Sequence, residues 1–256
     1  MACGFVNRIY SEKVYFTSLL YIVDDSIYLL QYSARFVIKY QMEEIMSRDP
    51  EKDAAKSAAT KQKILETSFR IFAEKTIEKV SMTDVANEAG LGVATLYRHY
   101  STKLLLVLAV SKWVWEQYIQ GAMRNLEIVE KETAAVNLEY FIDAFLELFR
   151  KNKDILRFNQ FFNVYILNEN VSREMIDPYN KMIQVLEKRF HFVYTKGEKD
   201  GTLSAGIPER EMFLCILHLM MATVTRYAVE LVYGEGFDPE SELLLLKKML
   251  LHEFTK

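Results

Sequence analysis

Apolar positions between Ser81 and Lys103, SMTDVANEAGLGVATLYRHYSTK, change phase twice within a short span. Val85, Ala86 and Ala89 share one face at helical spacing, and their small volumes let another helix approach closely. Ser81 followed by Asp84 is a capping-box-like start, although Glu or Gln is the usual fourth member. Gly90 ends this helix where a positive φ is wanted, and Gly92 stands at the next N-cap. The second helix, about Val93 to Tyr100, turns at about 100° per residue. Val93, Leu96 and Tyr100 converge toward a core, Ala94, Thr95 and Arg98 point away, and Tyr97 and His99 lie on the flanks.

The same periodicity predicts helices along the rest of the chain. A first helix begins near Lys61. Ser101 or Thr102 caps a long one running through Trp113 and Trp115 to about Arg124; it is apolar nearly all round from Leu104 to Val110, so it should be buried between two domains. Helices follow over about 134–151, 154–167 and 172–194, with Pro178 a kink or an offset start in the last. KGEKDGTLSAGIP, Lys196 to Pro208, reads as a loop. Glu209 to Tyr233 is the most apolar helix and is ended by Gly234 and Gly236; Asp238-Pro239 opens the last, to about Phe254. With no strand pattern and no internal repeat, the chain is expected to be all-α.

Residues 1–57 fit this scheme poorly and read as an extension and linker. Tyr10, Tyr15, Tyr21, Tyr28, Tyr32 and Tyr40 crowd the first part. Val14 to Val23 is too short to span a bilayer and is followed by Asp24-Asp25, with no small-residue cleavage site after it. Ser47 to Thr60, SRDPEKDAAKSAAT, reads as a disordered lead-in. One alternative is a membrane- or partner-binding helix. The other is that natural translation starts at Met46, since Met42-Glu43-Glu44 can be encoded by ATG-GAG-GAR, which contains a ribosome-binding sequence.

Composition narrows the classes. Half the residues are hydrophobic, and 9 Gly and 4 Pro in 256 residues suit a helical protein with a sizeable core. A net charge of −3 excludes a generally sticky polycation. Between Lys61 and Lys103, Lys61, Lys63, Arg70, Lys75, Lys79, Arg98 and Lys103 slightly outnumber Glu66, Glu74, Glu78, Asp84 and Glu88. Cys3 and Cys215 form no motif, which makes a reducing cytoplasm the default. His99, His191, His218 and His252 lack metal-ligand spacing, and there is no phosphate loop or nucleophile elbow. No metal, no cofactor and no enzymatic activity are expected.

A short helix exposing a methyl, a hydroxyl and a guanidinium suits base-edge reading in the major groove: Arg98 toward guanine, Ala94 or Thr95 toward a thymine methyl. Tyr97 and His99 suit phosphate contacts, as does Lys103 at the start of the next helix. The stretch from Lys61 to Leu106 resembles the DNA-binding domain of TetR-family transcriptional regulators. Ile64, Phe69, Phe72 and Ala73 carry the resemblance, with Thr83-Asp84-Val85-Ala86, Ala89-Gly90-Leu91, Thr95-Leu96-Tyr97-Arg98-His99-Tyr100 and Lys103. The chain departs from the family at Thr76, where Gly is usual, at Gly92, where Ser or Thr is usual, and at Leu104, often Glu.

The resemblance implies an N-terminal three-helix helix-turn-helix DNA-binding domain over 58–105. A helical effector-binding and dimerisation domain would follow over 106–256. It implies DNA contacts at Thr83, Val93, Ala94, Thr95, Tyr97, Arg98, His99 and Lys103, and a homodimer through helices 209–233 and 238–254. The rest of the body should enclose a pocket for a small-molecule effector, with Trp115, Tyr118, Phe158, Phe161, Phe162, Tyr165 and His218 as its aromatic lining; ordinary core packing is the alternative for each. The function implied is a repressor released from a palindromic double-stranded DNA operator by its effector, with no membrane partner. A helical ligand-binding protein or enzyme with a vestigial head, or an architectural DNA binder without effector, are the other classes.

Overall fold

A computed structural model of the chain describes residues 50–122, 131–169, 171–230 and 238–256. These form nine helices: α1 (Pro50–Lys75), α2 (Met82–Glu88), α3 (Val93–His99), α4 (Lys103–Ala122), α5 (Ala134–Lys151), α6 (Lys153–Asn168), α7 (Arg173–Asp200), α8 (Glu209–Ala228) and α9 (Pro239–Phe254). Among the described residues the only extended pairing is an isolated bridge between Leu203 and Thr255. The fold is all-α. The chain divides into two units, residues 1–57 and 58–256, and α2 to α9 all lie in the second. The tyrosine-rich stretch and the start at Met46 fall outside the described residues.

Two boundaries differ from the sequence expectation. α1 starts at Pro50, not near Lys61, so the segment read as a disordered lead-in is helical from Pro50 onward. Pro at the helix start, Glu51 and Asp53 in its first turn and the alanines that follow favour a helix on local grounds alone, and the side chains from Glu51 to Ala59 are exposed. α7 runs to Asp200, so the loop expected from Lys196 begins only at Gly201, which takes φ +70°. Gly197 is therefore a packing glycine: a Cβ there would overlap the Leu203 side chain. Pro178 lies inside α7, which starts at Arg173 behind Ser172. The end of α7 also caps α5. The Ala134 N–H donates to Asp200 Oδ2 at 2.7 Å and the Ala135 N–H to Thr202 Oγ1 at 3.1 Å. The proposed stretch 231–233 of the next helix lies outside the described residues, and α8 is seen to Ala228.

Two cores organise the second unit. In the first, Ile64, Phe72 and Ile77 of the α1 region meet Val85 and Ala86 of α2, Leu96 of α3, and Leu106, Val107 and Val110 of α4. Phe158, Phe162 and Tyr165 of α6 complete this core. The second core is formed by α5, α7, α8 and α9 around Leu138, Ile142, Phe190, Phe213 and Ile216, and Trp115 of α4 joins it. α4 thus changes allegiance between Val114 and Trp115. Ion pairs tie α9 to α5: Arg150 to Glu240 at 2.9 Å, and Lys247 to Asp143 at 2.6 Å and Glu139 at 2.8 Å.

Candidate nucleic-acid interface and ligand cavity

The helix-turn-helix is built by local chemistry. Ser81 and Asp84 form a complete capping box. The Ser81 N–H donates to Asp84 Oδ2 at 2.8 Å, and the Asp84 N–H donates to Ser81 Oγ at 3.1 Å. Asp therefore serves where Glu or Gln is usual, and the Ser81 hydroxyl, donating to Oδ2 at 2.6 Å, together with the Ser81 N–H holds its carboxyl below the usual carboxylate range. Gly90 takes φ +62°, and the Leu91 N–H returns to the Ala86 carbonyl at 2.9 Å. Gly92 stands at the N-cap of α3 with no side-chain cap.

α3 is anchored by Leu96, fully buried, and by Tyr100 just after it. Ala94, Tyr97 and Arg98 are exposed; Val93, Thr95 and His99 are half-buried; Thr83 is exposed near the start of α2. The Arg98 guanidinium has no carboxylate partner among the described residues. Arg70, on the neighbouring surface, is bound to Glu88 and so pins α1 to α2. One convex face thus offers a methyl, a hydroxyl and a free guanidinium on a helix held rigidly from behind.

Lys103 is placed differently from the other candidates. Its Nζ donates to the Glu78 carbonyl at 3.4 Å and lies 5.5 Å from the centre of the Tyr165 ring. Burial pulls its pKa down, against the nearby Glu78, Glu169 and Asp84. Tyr165 is pushed up by burial and by its hydrogen bond to Glu169. In this state Lys103 ties the start of α4 to α6, a contact that sequence spacing did not reveal.

A cavity of about 210 Å³ lies within the second core. α4 contributes Trp115 and Tyr118, α5 Phe141, Ala144, Phe145 and Leu148, and α6 Asn159 and Asn163. Ile183 and Leu186 of α7 and Leu217, His218 and Met221 of α8 close it. A second, more open hollow of about 470 Å³ between α6 and α8 shares Asn159, Asn163, His218 and Met221 with it and adds Gln160, Thr225 and Arg226. The Tyr118 hydroxyl donates to the Ala144 carbonyl at 3.1 Å, and burial, with Glu147 nearby, pushes its pKa up to about 12.

Of the aromatic residues expected to line a pocket, the structure brings Trp115, Tyr118 and His218 to this cavity. Phe158, Phe162 and Tyr165 are instead buried in the first core, and Phe161 packs against it. Phe158 stacks edge-to-face on Phe69 of α1 at 5.7 Å, and Phe69 in turn meets Trp113 at 6.2 Å. Phe158, Phe162 and Tyr165 recur at helical spacing on one face of α6, and Asn159 and Asn163 on another. Only the packing of α6 against α1 and α4 decides which face meets the cavity. Phe141, Phe145 and Asn159 carry no mark of this role in the sequence, because a cavity lining has no periodicity of its own. Among the described residues no group of acids, histidines or cysteines has the arrangement of a metal site, and no helix is long and apolar enough to cross a membrane.

Residues 64–110 match the family model of bacterial regulatory proteins, tetR family. An uncharacterized HTH-type transcriptional regulator of Bacillus subtilis (strain 168), YerO, is 30% identical over 118 residues. That match covers 44% of this chain and only 37% of the relative. Among solved structures, a putative transcriptional regulator from Saccharomonospora viridis in complex with choline is similar with a TM-score of 0.64, at 17% identity over 78% of this chain and 99% of that one. The transcriptional regulator FadR from Bacillus subtilis in complex with stearoyl-CoA is similar with a TM-score of 0.60, at 18% identity over 75% of this chain and 98% of that one. The head, residues 64–110, thus carries the DNA-binding segment of bacterial regulatory proteins of the tetR family, and the chain as a whole shares its fold with solved transcriptional regulators.

Proposed function

We propose that the protein is a cytoplasmic homodimeric repressor that binds a roughly palindromic DNA operator and releases it when a small molecule fills the cavity. The observation that carries this reading is the outer face of α3. Ala94, Thr95 and Arg98 stand over a buried Leu96, with the Arg98 guanidinium uncommitted. Thr83, Val93, Tyr97 and His99 surround that face as supporting contacts. Lys103 reaches phosphate when it leaves Glu78 and Tyr165. Two such heads one DNA turn apart read two half-sites.

The dimer forms through α8 and α9. Leu219, Leu244, Leu245 and Met249 lie 44–59% exposed on these two helices, more apolar surface than a lone helix pair is expected to leave in water. The cavity is the effector site, as two similar folds hold stearoyl-CoA and choline. α4 and α6 each present one face to the cavity and another to the first core. A ligand that favours a different spacing of these helices therefore shifts the heads by its differential affinity for the two states. Nothing in this mechanism requires catalysis.

Selection of binding sites from random duplexes, followed by titration at several salt concentrations, tests the reading. Arg98→Ala should cost about 1–3 kcal/mol on the selected site and relax one base preference. Equal affinity of the intact protein for selected and random DNA would show that α3 reads no sequence.

A further inference from the structure

Two cations on one face of α1 have different fates. Arg70 is bound to Glu88, the last residue of α2. Lys63 stands two turns earlier on the same face, about 10 Å nearer the start of α1. At that level α2 has ended and the chain is turning toward α3. A Cβ added to Gly90 would stand 3.8 Å from Lys63 Nζ, so the ammonium lies over the turn. Lys63 is exposed, and its ammonium has no hydrogen-bond or ion-pair partner among the described residues.

The turn beneath it is bare. Gly90 and Gly92 are both exposed, and their α-carbons are at most about 7 Å apart. At the far end a Cβ added to Gly92 would meet Thr95 Oγ1 at 3.9 Å. An ammonium and a hydroxyl thus border a strip of backbone with a side chain only at Leu91. Glycines let a bulky group approach the main chain closely, and an ammonium with a hydroxyl donor suits a phosphate. Glu88, two residues before Gly90, is neutralised by Arg70 and so does not repel an anion there.

Resting on the reading of α3 as the element that enters the groove, we propose that Lys63 and the Gly90–Gly92 turn seat one phosphate of the DNA backbone. The ammonium supplies charge, the Thr95 hydroxyl a donor, and the missing side chains the room. The seat fixes register at the start of α3, as Lys103 does beyond its other end, and reads no base.

The test uses the full chain, the duplex obtained by site selection and a random duplex of equal length, titrated at several salt concentrations. Lys63→Gln should weaken both duplexes about 5–10-fold and flatten the plot of log affinity against log salt by about 0.9 for each head, with the selected sequence unchanged. Lys63→Arg should restore most of the loss. Lys61→Gln removes the same charge about 200° round the helix and should leave the slope as it was. Gly92 has φ −65°, which admits a side chain, so Gly92→Leu should fold and block the seat. Adding Lys63→Gln to it should then cost little more. A slope unchanged by Lys63→Gln, or flattened equally by Lys61→Gln, would overturn the seat while leaving the DNA-binding reading in place. So would a full further loss in the double variant, which would put the Lys63 contact away from the turn. A shift in the selected sequence on Lys63→Gln would make Lys63 a base reader and overturn the seat as well. An intact protein that binds neither duplex would overturn the DNA-binding reading itself.

Discussion

Thr76 follows α1 with φ +71°, a backbone conformation that a β-branched side chain strongly resists. The family that this head resembles usually has glycine here, so the departure visible in the sequence corresponds to strain in the structure. Thr76→Gly should stabilise the protein by about 0.5–1 kcal/mol, the relief of strain less the greater backbone freedom of an unfolded glycine. A thermal melt decides it, and a lower melting temperature would show that Thr76 is held without strain. Asp84 offers a second test. Its carboxyl pKa lies below the usual 3.8 because Ser81 hydrogen-bonds its charged form. A group depressed in the folded state stabilises above its unfolded pKa, and that contribution fades as pH falls through the folded value. Asp84→Asn should therefore lower stability at pH 7 and show a shallower loss than the unaltered protein below about pH 4. Parallel acid titrations of the two proteins would argue against the capping box.

The decisive elements are α4 and α6. α4 has Leu106 to Val114 in one core and Trp115 in the other, so it cannot shift without disturbing both. α6 has Phe158 against Phe69 and Asn159 at the cavity, one residue apart and about 100° round the helix. Phe158→Ala should cost about 3–5 kcal/mol as a large buried side chain is lost. Because Phe158 fixes α6 to the first core while Leu156 of the same helix lies in the second, calorimetry should also resolve two transitions where the unaltered protein shows one. A single transition with a small shift would mean that Phe158 is peripheral to the joint. Tyr165 belongs to the same face and holds the Lys103 ammonium, so a ligand that moves α6 would also free or restrain the phosphate contact proposed for Lys103.

For the whole molecule the question is what covers α8 and α9. Leu245 is 57% and Met249 59% exposed, one turn apart on α9. In the dimer proposed above these side chains pack against a second copy. Leu245→Glu with Met249→Glu should leave a monomer in sedimentation and remove high-affinity operator binding, since two heads bind jointly and one binds weakly. α9 should stay folded in that monomer, because Lys247, Arg150 and the Asp238 cap hold it to its own chain and start. A dimer that persists would place the interface elsewhere.

The helix-turn-helix was legible in the chain because its determinants are local. Ser81 and Asp84 cap within one turn, Gly90 supplies a left-handed residue, and the phase of Leu96 against Arg98 separates core from surface. The all-α class was legible for the same reason, through apolar periodicity and scarce glycine and proline. Where α1 begins and α7 ends was less so. A polar, alanine-bearing segment is compatible with both helix and disorder, and Gly197 reads as a turn until Leu203 is seen packed on it. The lining of the cavity belongs wholly to tertiary structure. The aromatic run from Phe158 to Tyr165 marks α6 as buried on more than one side, but nothing within the helix says which side meets the head and which the cavity. That choice is made by Phe69 and Trp113, far away in the chain, whose rings take up Phe158 and turn Asn159 and Asn163 toward the empty space between α4, α5 and α8.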